Sequence, residues 1–161
     1  MKKNLLLLSM TLFLQAEIST EIGLTIGYNK FDDPEILKKS KNFHGFKVGI
    51  YQDESYGIEV GYEKANDVNC QKLNFKRTYL NAVAISKQPH KFNPYALLTV
   101  GYEQSNIHRF KPSQTFVGAG VGIKKSLLKN FNAFSEAKII KKLKSNDTDI
   151  ITTLGVGYAL K

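Results

Sequence analysis

The chain has 161 residues, with 23 Lys and Arg against 14 Asp and Glu for a formal net charge of +9, together with 12 Gly, 8 Tyr, 10 Phe, no Trp and one Cys. That length suits one domain with one core and excludes a multidomain machine. A single cysteine excludes an intrachain disulfide scaffold, and His44, His90 and His108 are too dispersed, with no cysteine near them, to suggest a structural zinc site.

Met1-Lys2-Lys3 is a short positive leader, Leu5 to Leu14 is almost unbroken apolar sequence, and Leu14-Gln15-Ala16 ends in the small residue that a signal peptidase needs. The pattern predicts a cleaved secretory signal peptide over residues 1–16, because the apolar run is about half the ~20 residues of a transmembrane helix. The mature domain is then expected over residues 17–161, with a net charge of 23 − 2 − 14 = +7 once Lys2 and Lys3 are removed. No cysteine follows the apolar run, so no lipoprotein anchor is expected, and Cys70 reads as a free thiol or an intermolecular partner.

Beyond the signal, no stretch approaches 18 apolar residues, and the period that recurs is two. Ile22, Leu24, Ile26 and Tyr28 alternate with Gly23, Thr25, Gly27 and Asn29. Phe46, Val48 and Ile50 alternate with Gly45, Lys47 and Gly49, and Tyr56, Ile58, Val60 and Tyr62 with Gly57, Glu59, Gly61 and Glu63. Residues 74–86 set Leu80, Ala82 and Ala84 against Arg77, Tyr79 and Asn81, a weaker alternation. Ala96, Leu98, Val100 and Tyr102 then alternate with Leu97, Thr99, Gly101 and Glu103, and Val117, Ala119, Val121 and Ile123 with Gly118, Gly120, Gly122 and Lys124. Residues 132–141 oppose Ala133, Ala137 and Ile139 to Phe134, Glu136 and Lys138, and the chain closes on Thr152, Leu154, Val156, Tyr158 and Leu160 against Thr153, Gly155, Gly157 and Ala159. Eight half-buried strands are predicted.

All twelve glycines fall inside these strands, on one parity in each, opposite the aliphatic face. Glycine normally gathers in turns and weakens strand interiors, so a special interior is required. The glycine face also carries Lys47, Glu59, Glu63, Arg77, Glu103, Lys124, Glu136 and Lys138, and the other face carries Ile26, Val48, Val60, Val100, Val121 and Val156. Eight strands enclose only enough space for packed side chains, where small residues must alternate with long ones. The pattern therefore predicts an all-β fold, an eight-stranded antiparallel up-and-down transmembrane β-barrel, with an ionic network in the lumen and lipid-facing aliphatic residues outside.

Connections alternate in length. Gln52 to Ser55, Lys87 to Lys91 and Leu127 to Asn130 are short; Lys30 to Phe43, Lys64 to Lys72, Gln104 to Gln114 and Lys142 to Asp149 are longer and polar. Outer-membrane barrels show this asymmetry between periplasmic turns and extracellular loops, with aromatic girdles at both interfaces. Tyr51, Tyr56, Phe92, Tyr95, Phe131 and Tyr158 are expected in the girdle at the short-turn edge, and Tyr28, Phe31, Phe43, Phe46, Tyr62 and Tyr102 in the one at the long-loop edge.

In these features the sequence resembles the small eight-stranded outer-membrane barrels of the OmpA/OmpX-like superfamily, over most of residues 21–161. The resemblance rests on the signal peptide, Asn93-Pro94-Tyr95 opening the fifth strand, Gly118-Ala119-Gly120-Val121-Gly122, the Glu136 strand and the terminal Leu154-Gly155-Val156-Gly157-Tyr158. It implies an integral outer-membrane protein, a monomer, inserted by the barrel-assembly machinery among outer-membrane lipids and lipopolysaccharide, with no cofactor. Two departures stand out: the chain ends Ala159-Leu160-Lys161 instead of in an aromatic residue, which leaves assembly recognition to Tyr158 and Leu160, and no peptidoglycan-binding domain follows, so a wall-tethering role does not carry over.

Other chemistry is less well supported. Gly118-x-Gly-x-Gly122 lacks the spacing and following helix of a nucleotide loop. The basic charge would suit nucleic acid, but an exported chain does not meet it. Lys38, Lys39, Lys41, Lys64, Lys72, Arg109, Lys111, Lys141, Lys142 and Lys144 are expected in the long loops or near the outer rim, where they would either pair with lipopolysaccharide phosphates or form a solvated surface. Some eight-stranded barrels modify lipid A, a chemistry that needs His, Ser and a carboxylate at one depth. His44 has Asp32, Asp33 and Ser40 in the preceding loop, His108 has Ser105 and Ser113, and His90 falls in a short turn. Neither histidine–serine spacing matches those enzymes, and no catalytic residue or metal ligand is expected. The reading reached is a non-enzymatic barrel with a structural or surface-interaction role; the alternatives are a soluble periplasmic lipocalin-like barrel binding an apolar ligand, a small-solute channel or a lipid A-modifying enzyme. The surface partner is not legible.

Overall fold

The computed structural model describes residues 17–30, 40–65, 74–88, 92–105 and 113–160. Eight strands form: β1 Ile18–Lys30, β2 Ser40–Gln52, β3 Tyr56–Ala65, β4 Phe75–Ile85, β5 Asn93–Ser105, β6 Ser113–Leu128, β7 Phe131–Lys142 and β8 Thr148–Leu160. Each pairs antiparallel with its sequence neighbours, and β1 also pairs with β8, which closes the barrel and leaves no free sheet edge. Residues 1–16, where a signal peptide is expected, lie outside the described residues, as do Cys70, His90 and His108.

Strict alternation decides which face turns inward. Ile22, Leu24, Ile26, Val48, Val60, Val100, Val121, Leu154 and Val156 are exposed on the outer wall, whereas Glu59, Glu63, Arg77, Glu103, Glu136 and Thr153 are almost wholly buried. Charged and polar residues share the interior with aromatic rings and a few aliphatic side chains, while the outer wall is apolar, the reverse of a water-soluble domain. The three short connections, the start of β1 and the end of β8 define one end of the barrel, the turn edge; the opposite end is the loop edge. At the turn edge, Asp53 and Glu54 take left-handed conformations (φ 51° and 53°), and the Ser55 N–H donates to the Gln52 carbonyl at 3.0 Å, closing a tight β2–β3 hairpin.

Two expectations change. The strands run further than the hydrophobic alternation suggests, so the connection expected over Lys142 to Asp149 shrinks to Leu143–Asp147. Lys142 is not a loop lysine facing lipopolysaccharide: it turns inward and is buried, because Asp149 and Glu103 lie within ion-pair reach inside the barrel. Tyr51, Tyr95 and Phe43, expected in the girdles, also point inward and are 4%, 6% and 4% exposed. Their parity puts them on the glycine face, and the barrel supplies each with a glycine opposite. Tyr56, Phe92, Phe131 and Tyr158 stay outside at the turn edge and Tyr28, Phe46, Tyr62 and Tyr102 at the loop edge, while Phe31 lies outside the described residues.

Glycine and aromatic side chains fit together across the lumen wall. Phe43 faces Gly27, Tyr51 faces Gly57, Tyr79 faces Gly61, Tyr95 faces Gly122, Phe116 faces Gly101 and Phe134 faces Gly155 as direct register partners. A Cβ built on Gly61 would run into the Tyr79 ring, and one on Gly155 into the Phe134 ring. The glycines are seats for inward aromatic rings, a way of strengthening strand glycines by cross-strand aromatic cover.

Candidate functional site

The site to consider is the lumen. Its charged side chains come from all eight strands, since alternation sends every second residue of each strand to the axis. Near the turn edge, Lys47 of β2 places Nζ 2.9 Å from Glu59 Oε1 and 3.3 Å from Glu136 Oε2. The Tyr51 hydroxyl donates to Glu59, the Asn81 amide donates to Glu59 at 2.9 Å, and the Tyr95 hydroxyl donates to Glu136 at 3.0 Å. The Lys47 ammonium also sits over the Phe134 ring, 3.9 Å from its centroid.

Lys138 links this group to the loop half, 3.0 Å from Glu136 and 3.5 Å from Glu63. Above it, Arg77 of β4 reaches Glu63 at 3.0 Å through Nη1, Glu103 through Nε and Nη2, and Asp149 at 3.9 Å. Its guanidinium is flanked by the Phe75 and Phe116 rings at 4.8 and 5.5 Å. Lys142 completes the upper group, 3.2 Å from Glu103 and 3.0 Å from Asp149, and the Asn29 amide donates to Asp149 at 3.2 Å. At the turn-edge mouth, Lys124 lies 2.6 Å from Glu21, which also accepts from Asn132 at 2.7 Å.

All eight charged residues singled out from the sequence thus lie inside the barrel, and seven of them, from Lys47 to Glu103 by way of Glu136 and Arg77, join one continuous chain of ion pairs; Lys124 stands apart at the mouth. Sequence reading missed Glu21, Asp149 and Lys142, which complete the set. Among the described residues the lumen then holds six carboxylates (Glu21, Glu59, Glu63, Glu103, Glu136, Asp149) and five cations (Lys47, Arg77, Lys124, Lys138, Lys142). Parity alone marks Glu21 and Asp149; they were hidden because one opens the first strand and the other looks like a polar loop residue.

Little space remains. A cavity between Glu21, Lys47, Tyr51, Glu59 and Phe134 measures about 10 Å³, at the limit of what holds one water. A polar vestibule of about 120 Å³, lined in part by Lys87, Lys124, Lys129 and Glu54, opens at the turn edge. Of the His and Ser side chains that catalysis would need, His44 points outward from β2, Ser105 is buried inside and Ser113 is half-buried at the start of β6, while Asp32, Asp33, His90, His108 and the Ser40 side chain lie outside the described residues. Among the described residues no cluster of three His, Cys, Asp or Glu side chains is placed to hold a metal ion.

The fold is that of the small eight-stranded outer-membrane barrels. The chain superposes on the N-terminal β-barrel domain of Pseudomonas aeruginosa OprF with a TM-score of 0.70 at 19% identity, covering 91% of this chain and 100% of that one. Neisserial surface protein A gives a TM-score of 0.70 at 9% identity over 89% of this chain and 97% of that one. Ail, the attachment invasion locus protein of Yersinia pestis, solved in complex with the heparin analogue sucrose octasulfate, gives 0.61 at 18% identity over 90% and 99%. No protein-family model matches the chain, and no curated protein matches it in sequence.

Proposed function

We propose that this chain is an integral outer-membrane protein without enzymatic activity, a monomeric barrel of residues 17–161 left after removal of a signal peptide over 1–16, with a structural or surface-interaction role. One observation carries the reading: burial is inverted, with ions and amides packed inside and a continuous apolar wall outside. Such a wall is stable only in hydrocarbon, and a closed barrel satisfies its backbone there without water. Ile26, Val48, Val60, Val100, Val121 and Val156 contact acyl chains, and the barrel-assembly machinery inserts the protein. A soluble lipocalin-like barrel would need these residues inside, in place of the ion pairs.

The lumen acts as a plug. Its charges are held because removal from water is offset by opposite charges and hydrogen bonds on every side, and cavities of this size pass no solute. Function is then displayed in the first and third long connections, whose sequences carry Lys38, Lys39, Arg109 and Lys111 and suit polyanionic surfaces, the class of ligand with which Ail has been solved.

Membrane fractionation with a heat-modifiability gel tests this reading. The protein is expected in the outer-membrane fraction, running as a detergent-resistant species that shifts on boiling; recovery in the soluble periplasm without a shift overturns the proposal. Tags in the connection over residues 31–39 should be reachable on intact cells and tags at Asp53–Ser55 should not. Purified protein in planar bilayers should give little steady conductance, and a large stable conductance would move solute passage into first place.

A further inference from the structure

The outer wall near the loop edge carries a row of side chains that neither the barrel nor its plug uses. His44 on β2, Lys64 on β3 and Lys76 on β4 are consecutive lateral neighbours: His44 is the register partner of Lys64, and Lys64 of Lys76. Directly opposed residues on one face have Cβ atoms ~4.5–5.5 Å apart, and like charges placed so destabilise a sheet. Among the described residues no acid answers them on this wall. Among the described residues, every carboxylate within a strand points into the lumen, Glu17, Asp53 and Glu54 sit at the turn edge, and Asp147 lies in the β7–β8 connection.

The layers beneath set the depth of this row. Two residues toward the middle of the wall, the same strands carry Phe46, Tyr62 and Thr78, with the Phe46 and Tyr62 rings 5.9 Å apart. Two residues further lie Val48, Val60 and Leu80, all exposed. Aromatic belts mark the boundary between hydrocarbon and headgroups. A two-residue step of ~6.6–6.8 Å therefore places the basic row at headgroup depth, above an aliphatic wall on the same three strands. The outward lysine at the other edge, Lys125, is placed differently, over the Phe92 ring at 5.0 Å.

We propose that His44, Lys64 and Lys76 form a site for the phosphate monoester of a membrane glycolipid, with the sugar against Tyr62 and Thr78 and the acyl chains along Val48, Val60 and Leu80. A phosphate dianion between two ammonium groups removes the like-charge cost of the Lys64–Lys76 pair and takes an N–H donor from His44. The site rests on the outer-membrane reading and deepens it by naming a lipid and its place on the wall.

The test uses the full mature barrel in detergent micelles, titrated with lipid A and with lipid A whose phosphates have been removed, bound lipid being counted by native mass spectrometry. Wild-type protein should bind the phosphorylated lipid at least about tenfold more tightly than the dephosphorylated one, and the Lys64→Gln/Lys76→Gln variant should lose that preference while Lys125→Gln keeps it. In phosphatidylcholine bilayers, the double variant should unfold at the same temperature as wild type or a higher one, because a like-charge pair is gone; adding lipid A should raise the unfolding temperature of wild type alone. Equal affinity of wild type for the two lipids, or of the double variant and wild type for lipid A, overturns the site, as does binding of inorganic phosphate as tightly as lipid A. Those results in a protein that still forms a heat-modifiable barrel remove this site only; a chain that forms no such barrel removes the outer-membrane reading and the site with it.

Discussion

The two halves of the lumen solve one problem with different side chains. In the loop half a single guanidinium, Arg77, serves Glu63 and Glu103 and lies near Asp149, between two phenylalanine rings. In the turn half Lys47 divides its ammonium between Glu59 and Glu136, and Tyr51, Asn81 and Tyr95 supply the remaining donors. A planar fork with five donors can hold several carboxylates at once, whereas an ammonium is a point charge that needs help. The loop half is therefore centred on one guanidinium, with Lys142, Lys138 and the Asn29 amide beside it, whereas the turn half spreads its donors over Lys47, Lys138, Tyr51, Asn81 and Tyr95.

Removing the centre of each half is the largest test of that difference. Arg77→Met leaves Glu63, Glu103 and Asp149 with Lys138, Lys142 and, for Asp149, the Asn29 amide, and breaking a buried ion pair from one side costs ~3–5 kcal/mol. Folded stability, read from urea titration in lipid bilayers, should fall by about that amount or the variant should fail to insert. Glu136→Gln should cost less, ~1–3 kcal/mol: Lys47 retains Glu59, Lys138 retains Glu63, and the Tyr95 hydroxyl can still donate to the amide oxygen. Equal losses for the two variants would show that the halves do not differ in kind.

A second pair of variants separates glycines that seat a ring from those that do not. Gly61 lies beneath Tyr79, whose ring a new methyl would strike, so Gly61→Ala should cost ~1–3 kcal/mol by overpacking. At Gly23 the nearest atoms to a new Cβ, on Lys47 and Val156, stand at 3.4 Å, and Gly23→Ala should stay within about 0.5 kcal/mol of wild type. If both are tolerated in the same unfolding assay, the ring seats do not constrain the lumen.

These contrasts also mark what the sequence can disclose. Alternation alone puts Lys47, Glu59, Arg77 and Glu136 on one face and Val48, Val60 and Val156 on the other, because the side-chain period of a strand is two whatever its partners are. It cannot tell which glycine faces which ring, since Gly61 meets Tyr79 only through the β3–β4 register. Tyr51, Tyr95 and Phe43 lie near strand ends, the depth at which girdles form, yet their parity places them inside, and parity decides. Lys142 and Asp149 look like loop residues because a polar stretch at a strand end has no apolar partner to reveal the alternation, and only closure of β7 on β8 brings the two together with Glu103.

The smallest expected effect lies at the mouth, where the turn half meets water. Lys124 and Glu21 are 2.6 Å apart, the shortest lysine–carboxylate distance among the described lumen residues, yet the Lys124 side chain keeps 15% exposure and borders the vestibule of about 120 Å³. Distance alone would rank this pair above Lys47–Glu59 at 2.9 Å; solvation reverses the order. Water reaching the ammonium screens the attraction, and after Lys124→Gln the Glu21 carboxylate keeps the Asn132 amide with solvent beside it. The substitution should cost no more than ~1 kcal/mol, and salt should narrow the gap between variant and wild type, since exposed pairs are screened within ~10 Å at 0.1 M. A loss as large as that of Arg77→Met, unaffected by salt, would mean that the mouth is as dry as the centre, and the contrast between the two halves would then owe nothing to access of water.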